Sequence, residues 1–160
     1  MTLQIAPPPG IPAFDPERLC DDLTRQGWSQ QAIADTDLLT ALRDEALTLW
    51  QEDELSGAGI GRAADHELVR EIRRDKTRWL DGNSPAQRGW LDFAETLRLD
   101  LNQRLALGLF AFEAHYAVYE PGGFYRKHLD SFRGARNRIL SSVLGLAPAL
   151  QAKVLPIAPV

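Results

Sequence analysis

The apolar period of this chain changes once, and that change limits the folds open to it. Up to about residue 105 the hydrophobic residues recur at helical spacing. From residue 112 they alternate. Asp15-Pro16-Glu17 reads as a helix start, with a capping acid and proline at the first position; Leu19 and Leu23 share a face and Gly27 stops the helix. A second helix is expected from about Asp35 to Trp50, with Leu38, Leu42, Leu49 and Trp50 as its core stripe. Ser84-Pro85-Ala86-Gln87 has the form of a capping box, and Trp90, Leu91, Ala94, Leu97 and Leu101 extend that helix to about Arg104. In "FEAHYAVY", residues 112–119, Phe112, Ala114, Tyr116 and Val118 fall on one strand face; Glu113, His115, Ala117 and Tyr119 fall on the other. Pro121-Gly122-Gly123 breaks that strand, and extended structure resumes at Phe124. Helices first and strands after them make an α+β plan.

The 160 residues fit one domain. Net charge is −4, which argues against a nucleic-acid partner. The single cysteine, Cys20, excludes an intramolecular disulfide, fits a reducing compartment and reads as a small buried hydrophobe. The opening "MTLQIAPPPGIPAF" lacks the basic start and apolar run of a signal peptide, and no stretch has the length and apolarity of a membrane span. A cytoplasmic protein with no membrane partner is the expectation, its oligomeric state left open. Residues 1–14 are expected to form a disordered, proline-rich tail.

Two motifs read more plainly than they look. "SGAGIGR", residues 56–62, follows an acidic helix end, whereas a nucleotide-cradling glycine loop follows a strand. The basic cluster Arg70, Arg73, Arg74, Lys76 and Arg78 is interleaved with Glu71 and Asp75, so it reads first as a solvated face and second as a surface for an anionic partner.

The stretch richest in chemistry is "YEPGGFYRKHLDSF", residues 119–132. His128 and Asp130 stand two apart, so on a strand they point the same way, ~7 Å apart at Cα. A neutral nitrogen and an anionic oxygen can converge there on one cation. With a distant histidine they would make the facial triad of non-haem Fe(II) oxygenases. Alone, the pair fits a solvated strand end as well. His115, about 13 Å along the strand from Tyr119, and His66 read as ordinary core or surface histidines.

"AHYAVYEPGGFYRKHLDSF" followed by "RNRILSSVLGL" resembles the Fe(II)/2-oxoglutarate dioxygenases, in the prolyl-hydroxylase branch that includes the hypoxia-sensing enzymes. "AGIGR", "RWLDG" and "LNQRLALGLFAFEAHYAVY" are similar to its small bacterial members, and the likeness runs over roughly residues 55–144. The resemblance implies N-terminal helices packed on an incomplete double-stranded β-helix, or jelly roll. It implies Fe(II) held by His128 and Asp130, with 2-oxoglutarate as co-substrate and ascorbate as a further reductant. It places Tyr119 and Tyr125 around the 2-oxoglutarate and substrate cavity, and it implies a prolyl residue of a protein or peptide as substrate. No catalytic residue beyond the metal ligands is implied.

The pattern departs from the family after about Leu144. The family's third ligand is a later histidine and its 2-oxoglutarate partner a later basic residue; here no histidine follows His128, and Lys153 is the single basic residue beyond Arg138. Gly145 stands where a cavity tyrosine is expected. Residues 139–160 carry one charge and are broken by Pro148, Pro156 and Pro159, so short segments are expected and no long strand. Residues 15–144 are therefore read as the N-terminal part of a dioxygenase domain and residues 145–160 as an atypical tail, through a change of coding frame or an evolved short form. Two functions follow: a dioxygenase that as written lacks part of its site, or a non-catalytic binding module on the same fold.

Overall fold

The computed structural model describes residues 14–32, 36–57, 75–126 and 138–146, and the backbone of 152–156. Three helices and six short strands are present among them.

Helix α1, Pro16–Gln26, begins where its local chemistry says it should. The Asp15 side chain accepts from the Arg18 N–H at 3.0 Å. Gly27 ends the helix in the left-handed region at φ 77°, and its N–H closes on the carbonyls of Asp22 and Leu23. Helix α2, Asp37–Gln51, starts two residues later than expected because Thr36, rather than an acid, caps it by accepting from the Leu39 N–H. Its buried stripe is Leu39, Leu42 and Ala46, flanked by the partly buried Leu38 and Leu49. Trp50, expected in the core, is 37% exposed, and its indole N–H reaches the Glu120 carboxylate at 3.4 Å. The last turn of α2 already faces the end of a strand.

Helix α3, Pro85–Leu105, spans both hydrophobic clusters. Near its start, Ala86 and Trp90 pack on Leu39, Leu42, Ala46 and Tyr116. Near its end, Leu101 joins Leu19 and Cys20, with Leu97 and Leu105 alongside. The expected capping box is only half formed. Ser84 accepts from the Gln87 N–H at 3.0 Å, but the Gln87 side chain turns away from the cap to the backbone N–H groups of Asp81 and Gly82. Phe14, assigned from the sequence to the N-terminal tail, packs against the Leu19–Leu101 cluster and meets Phe93 edge-on at 6.1 Å. The chain is therefore part of the core by residue 14.

The strands are β1 (Ser29–Gln31), β2 (Ser56–Gly57), β3 (Asp75–Trp79), β4 (His115–Tyr119), β5 (Leu140–Val143) and β6 (Ala152–Pro156). They form two three-stranded sheets, β2-β3-β4 and β1-β6-β5, with every pairing antiparallel. Mixed helix and antiparallel sheet agrees with the α+β expectation. β3 went unread in the sequence, where its lysine and arginine suggested a solvated face. It is the central strand of its sheet, with Asp75 opposite Tyr119 and Trp79 opposite His115. β4 begins at His115, so Phe112 lies ahead of it and is 38% exposed. The compositionally distinct tail contributes β6, the middle strand of the other sheet: Ser29 lies opposite Val154, and Ser142 faces the same residue from β5. Pro156 closes the strand, where a missing N–H costs the ladder least.

Candidate active site

β4 carries Tyr119, the first of the two tyrosines that the sequence points to. Its alternation buries Tyr116, at 5% exposure, and leaves His115, Ala117 and Tyr119 exposed. Tyr119 is 47% exposed at the end of the strand, opposite Asp75. The chain then turns: the Gly123 N–H donates to the Glu120 carbonyl at 2.6 Å, and Gly122 takes φ 80°, a region that a side chain rarely enters. Phe124 and Tyr125 follow, both half-buried, and Tyr125 makes a single β-bridge. The Arg126 guanidinium lies 5.9 Å from the centroid of the Phe124 ring. Tyr119 and Tyr125 thus stand on either side of one tight turn. His128 and Asp130 lie outside the described residues, as do His66 and Arg70, Arg73 and Arg74 of the basic cluster.

The two cations of that cluster that are described hold the sheet to the end of α2. Lys76 Nζ lies 2.8 Å from Asp53 and 4.0 Å from Glu120; Arg78 lies 3.1 Å from Glu54. The hydrogen bond from Lys76 keeps the Asp53 carboxyl below its ordinary range, and the same bond raises the lysine. All three pairs are exposed, so each contributes little to stability. Glu120 gathers Trp50 and Lys76 at the point where β4 enters the turn.

His115 is exposed on β4, its ring against Trp79 with centroids 5.0 Å apart. This aromatic neighbour went unread because β3 did. Among the described residues no three His, Cys, Asp or Glu side chains are placed to share a metal ion. Two open cavities lie elsewhere. One, of 340 Å³, is lined by Glu17, Cys20, Asp21, Thr24, Arg104 and Leu105; the other, of 230 Å³, is lined by Leu23, Leu107, Ile139 and Leu140 among others. Neither borders Tyr119 or Tyr125. Burial, the larger influence, holds the Cys20 thiol in its protonated form by raising its pKa.

No protein-family model matches the sequence. The fold is similar to a crystal structure of a Pseudomonas putida prolyl-4-hydroxylase: the TM-score is 0.72 with 37% sequence identity, over 89% of this chain and 82% of that one. Identity at that level, sustained over most of both chains, places this chain in the prolyl-4-hydroxylase family, with the fold of the 2-oxoglutarate-dependent dioxygenases.

Proposed function

We propose that the chain is an Fe(II)/2-oxoglutarate dioxygenase of the prolyl-hydroxylase branch, directed at a prolyl residue of a protein and built on part of a double-stranded β-helix. The observation that carries this reading is the 37% identity and TM-score of 0.72 to the Pseudomonas putida prolyl-4-hydroxylase. The donor set fits the metal in kind: His128 offers a neutral imidazole nitrogen and Asp130 a carboxylate oxygen. Bound iron would supply the O₂ chemistry that couples decarboxylation of 2-oxoglutarate to hydroxylation of a C–H bond. The chain's own part is binding and placement. Tyr119 and Tyr125, presented by β4 and the turn after it, offer hydroxyls to a dicarboxylate and aromatic surface to a prolyl ring.

Within these 160 residues the donor set that the resemblance assigns numbers two. His128 is the last histidine of the sequence, and Lys153 is the single cation after Arg138. Turnover needs the metal in fixed geometry and the co-substrate anchored by its distal carboxylate. The 160-residue chain is therefore expected to give no 2-oxoglutarate decarboxylation above a metal-only control. Decarboxylation and prolyl-peptide hydroxylation are expected once a family C-terminal half, with its histidine and basic residue, is joined after Leu144. Robust succinate production by the 160-residue chain alone contradicts the expected inactivity. A grafted chain that folds, binds iron and never hydroxylates a prolyl peptide contradicts the dioxygenase reading and favours a binding module.

A further inference from the structure

The loop between α3 and β4 is tied down on both sides of one residue, and the next residue is a phenylalanine in water. Ala106, which caps α3, sits in the left-handed region at φ 50°, and Gly108 returns there at φ 66°. Leu107 and Leu109 pack inward against the Leu19–Leu101 cluster. Asn102, in the last turn of α3, clamps Leu109: its side-chain carbonyl accepts from the Leu109 N–H at 2.7 Å, and its amide donates to the Leu109 carbonyl at 2.8 Å. Arg98 donates to the same carbonyl and is itself held by Glu95. Phe110 follows at 93% exposure, the highest of any large apolar side chain among the described residues. A loop ordered before association loses little freedom on binding, and an aromatic ring on such a loop is the usual kind of interface anchor.

A hollow for such a ring lies beside the same loop. The open cavity of 230 Å³ is lined by Leu23, Leu105, Leu107, Ile139 and Leu140 among others, and Phe110 is not one of its lining residues. The loop and the approach to β5 meet at two places. Leu107 and Ile139 line that one cavity, and the Arg138 guanidinium lies 3.3 Å from the Glu113 carboxylate. Phe110 falls between these two contacts along the loop, so ring, hollow and ion pair belong to one region of the surface.

That combination suits a second copy of this chain. A two-fold interface sets a patch against itself, so the patch must carry both a projection and a hollow, and each charge must meet its opposite. The projection is Phe110 and the hollow is the Leu107–Ile139 cavity. The charges are one acid and one base, Glu113 and Arg138, both exposed, so two copies facing each other present opposite signs.

We propose that this face is a homodimer interface, in which Phe110 of each protomer enters the Leu107–Ile139 cavity of the other. The proposal does not rest on the dioxygenase reading, because the loop joins β4 at His115, the end of the strand opposite Tyr119. Sedimentation velocity of the 160-residue chain across the micromolar range tests it. The mass is expected to rise with concentration from 17.8 kDa toward twice that value. Phe110→Asp, which would carry a charge into the apolar hollow, is expected to stay monomeric throughout with an unchanged far-ultraviolet spectrum, since the ring is left in water within its own protomer. Glu113→Arg and Arg138→Glu each set like charges against one another across the axis, so each alone is expected to weaken the dimer. Mixed together, the two variants are expected to pair as a heterodimer, which repair of an ion pair within one protomer would not produce. A parent chain that stays monomeric at its highest soluble concentration overturns the proposal, as do open-ended oligomers in place of a dimer. A dimer unmoved by Phe110→Asp overturns it too, because the copies then meet elsewhere. If Phe110→Asp does not fold, the charge variants decide: a heterodimer from the mixture supports the interface, and its absence overturns it.

Discussion

Trp79 stands opposite His115 across the β3–β4 ladder, their ring centroids 5.0 Å apart and their planes at 61°. The pair lies on the exposed side of β4, toward which Ala117 and Tyr119 also point. The opposite side carries Tyr116 into the α2–α3 core. One five-residue strand therefore separates the packing of the protein from its candidate chemistry.

The second cluster is keyed by Leu101, 2% exposed between α1 and α3. Leu101→Ala removes a fully buried side chain and leaves a cavity, at a cost of about 2–5 kcal/mol. Denaturant unfolding is expected to show a lower midpoint with an unchanged slope. A midpoint within error of the parent would mean that α1 does not pack on α3 as described.

Cys20 gives a pH dependence with a definite sign. Burial raises the folded thiol pKa, so the folded state keeps its proton more tightly than the unfolded chain does. That contribution is complete below the unfolded thiol value of about 8.5 and is lost as pH rises through the folded value. Stability is expected to fall with pH from about 8.5 upward, and Cys20→Ala should flatten this first part of the slope. Tyr116, also raised by burial, adds its own loss above about pH 10. An identical alkaline profile for Cys20→Ala contradicts the burial of the thiol. So does rapid alkylation by iodoacetamide of the folded protein at pH 8.

Deleting residues 145–160 tests whether the distinct tail belongs to the fold. Because β6 lies between β1 and β5, its loss removes both ladders of that sheet. Amide protection at Ser29–Gln31 and Leu140–Val143 is expected to collapse in hydrogen exchange, with the α3 core less affected. Unchanged protection in the deleted chain would show that β6 is not the partner of those strands.

Most of the helical half was legible because its signals are local. Asp15-Pro16 with Gly27, and Ser84-Pro85, each fix a helix end through contacts within a few residues. β4 was legible from the alternation around Tyr116. β3 was not, since a strand with Lys76 and Arg78 is stabilised by its neighbours β2 and β4 and by acids distant in sequence. The same holds for Trp50, drawn outward by Glu120, and for Gln87, whose side chain leaves the cap for the β3–α3 loop and Glu45. β6 was hidden by its prolines and low charge, which describe a poor strand in isolation and say nothing of the two strands that flank it. Of the candidate site, the glycine turn between Tyr119 and Tyr125 was legible, while His128 and Asp130 lie outside the described residues.

The central claim is that His128 and Asp130 hold the metal. Titration of the purified chain with Mn(II), followed by the electron paramagnetic resonance signal of the free ion, tests it beside the His128→Ala, Asp130→Ala double variant. Two protein donors leave the rest of the coordination to water, so the parent chain is expected to bind weakly, and more tightly at pH 7.5 than at pH 5.5, because protons compete with the metal for its donors. The double variant is expected to lose that binding. Equal binding by the two proteins contradicts the claim.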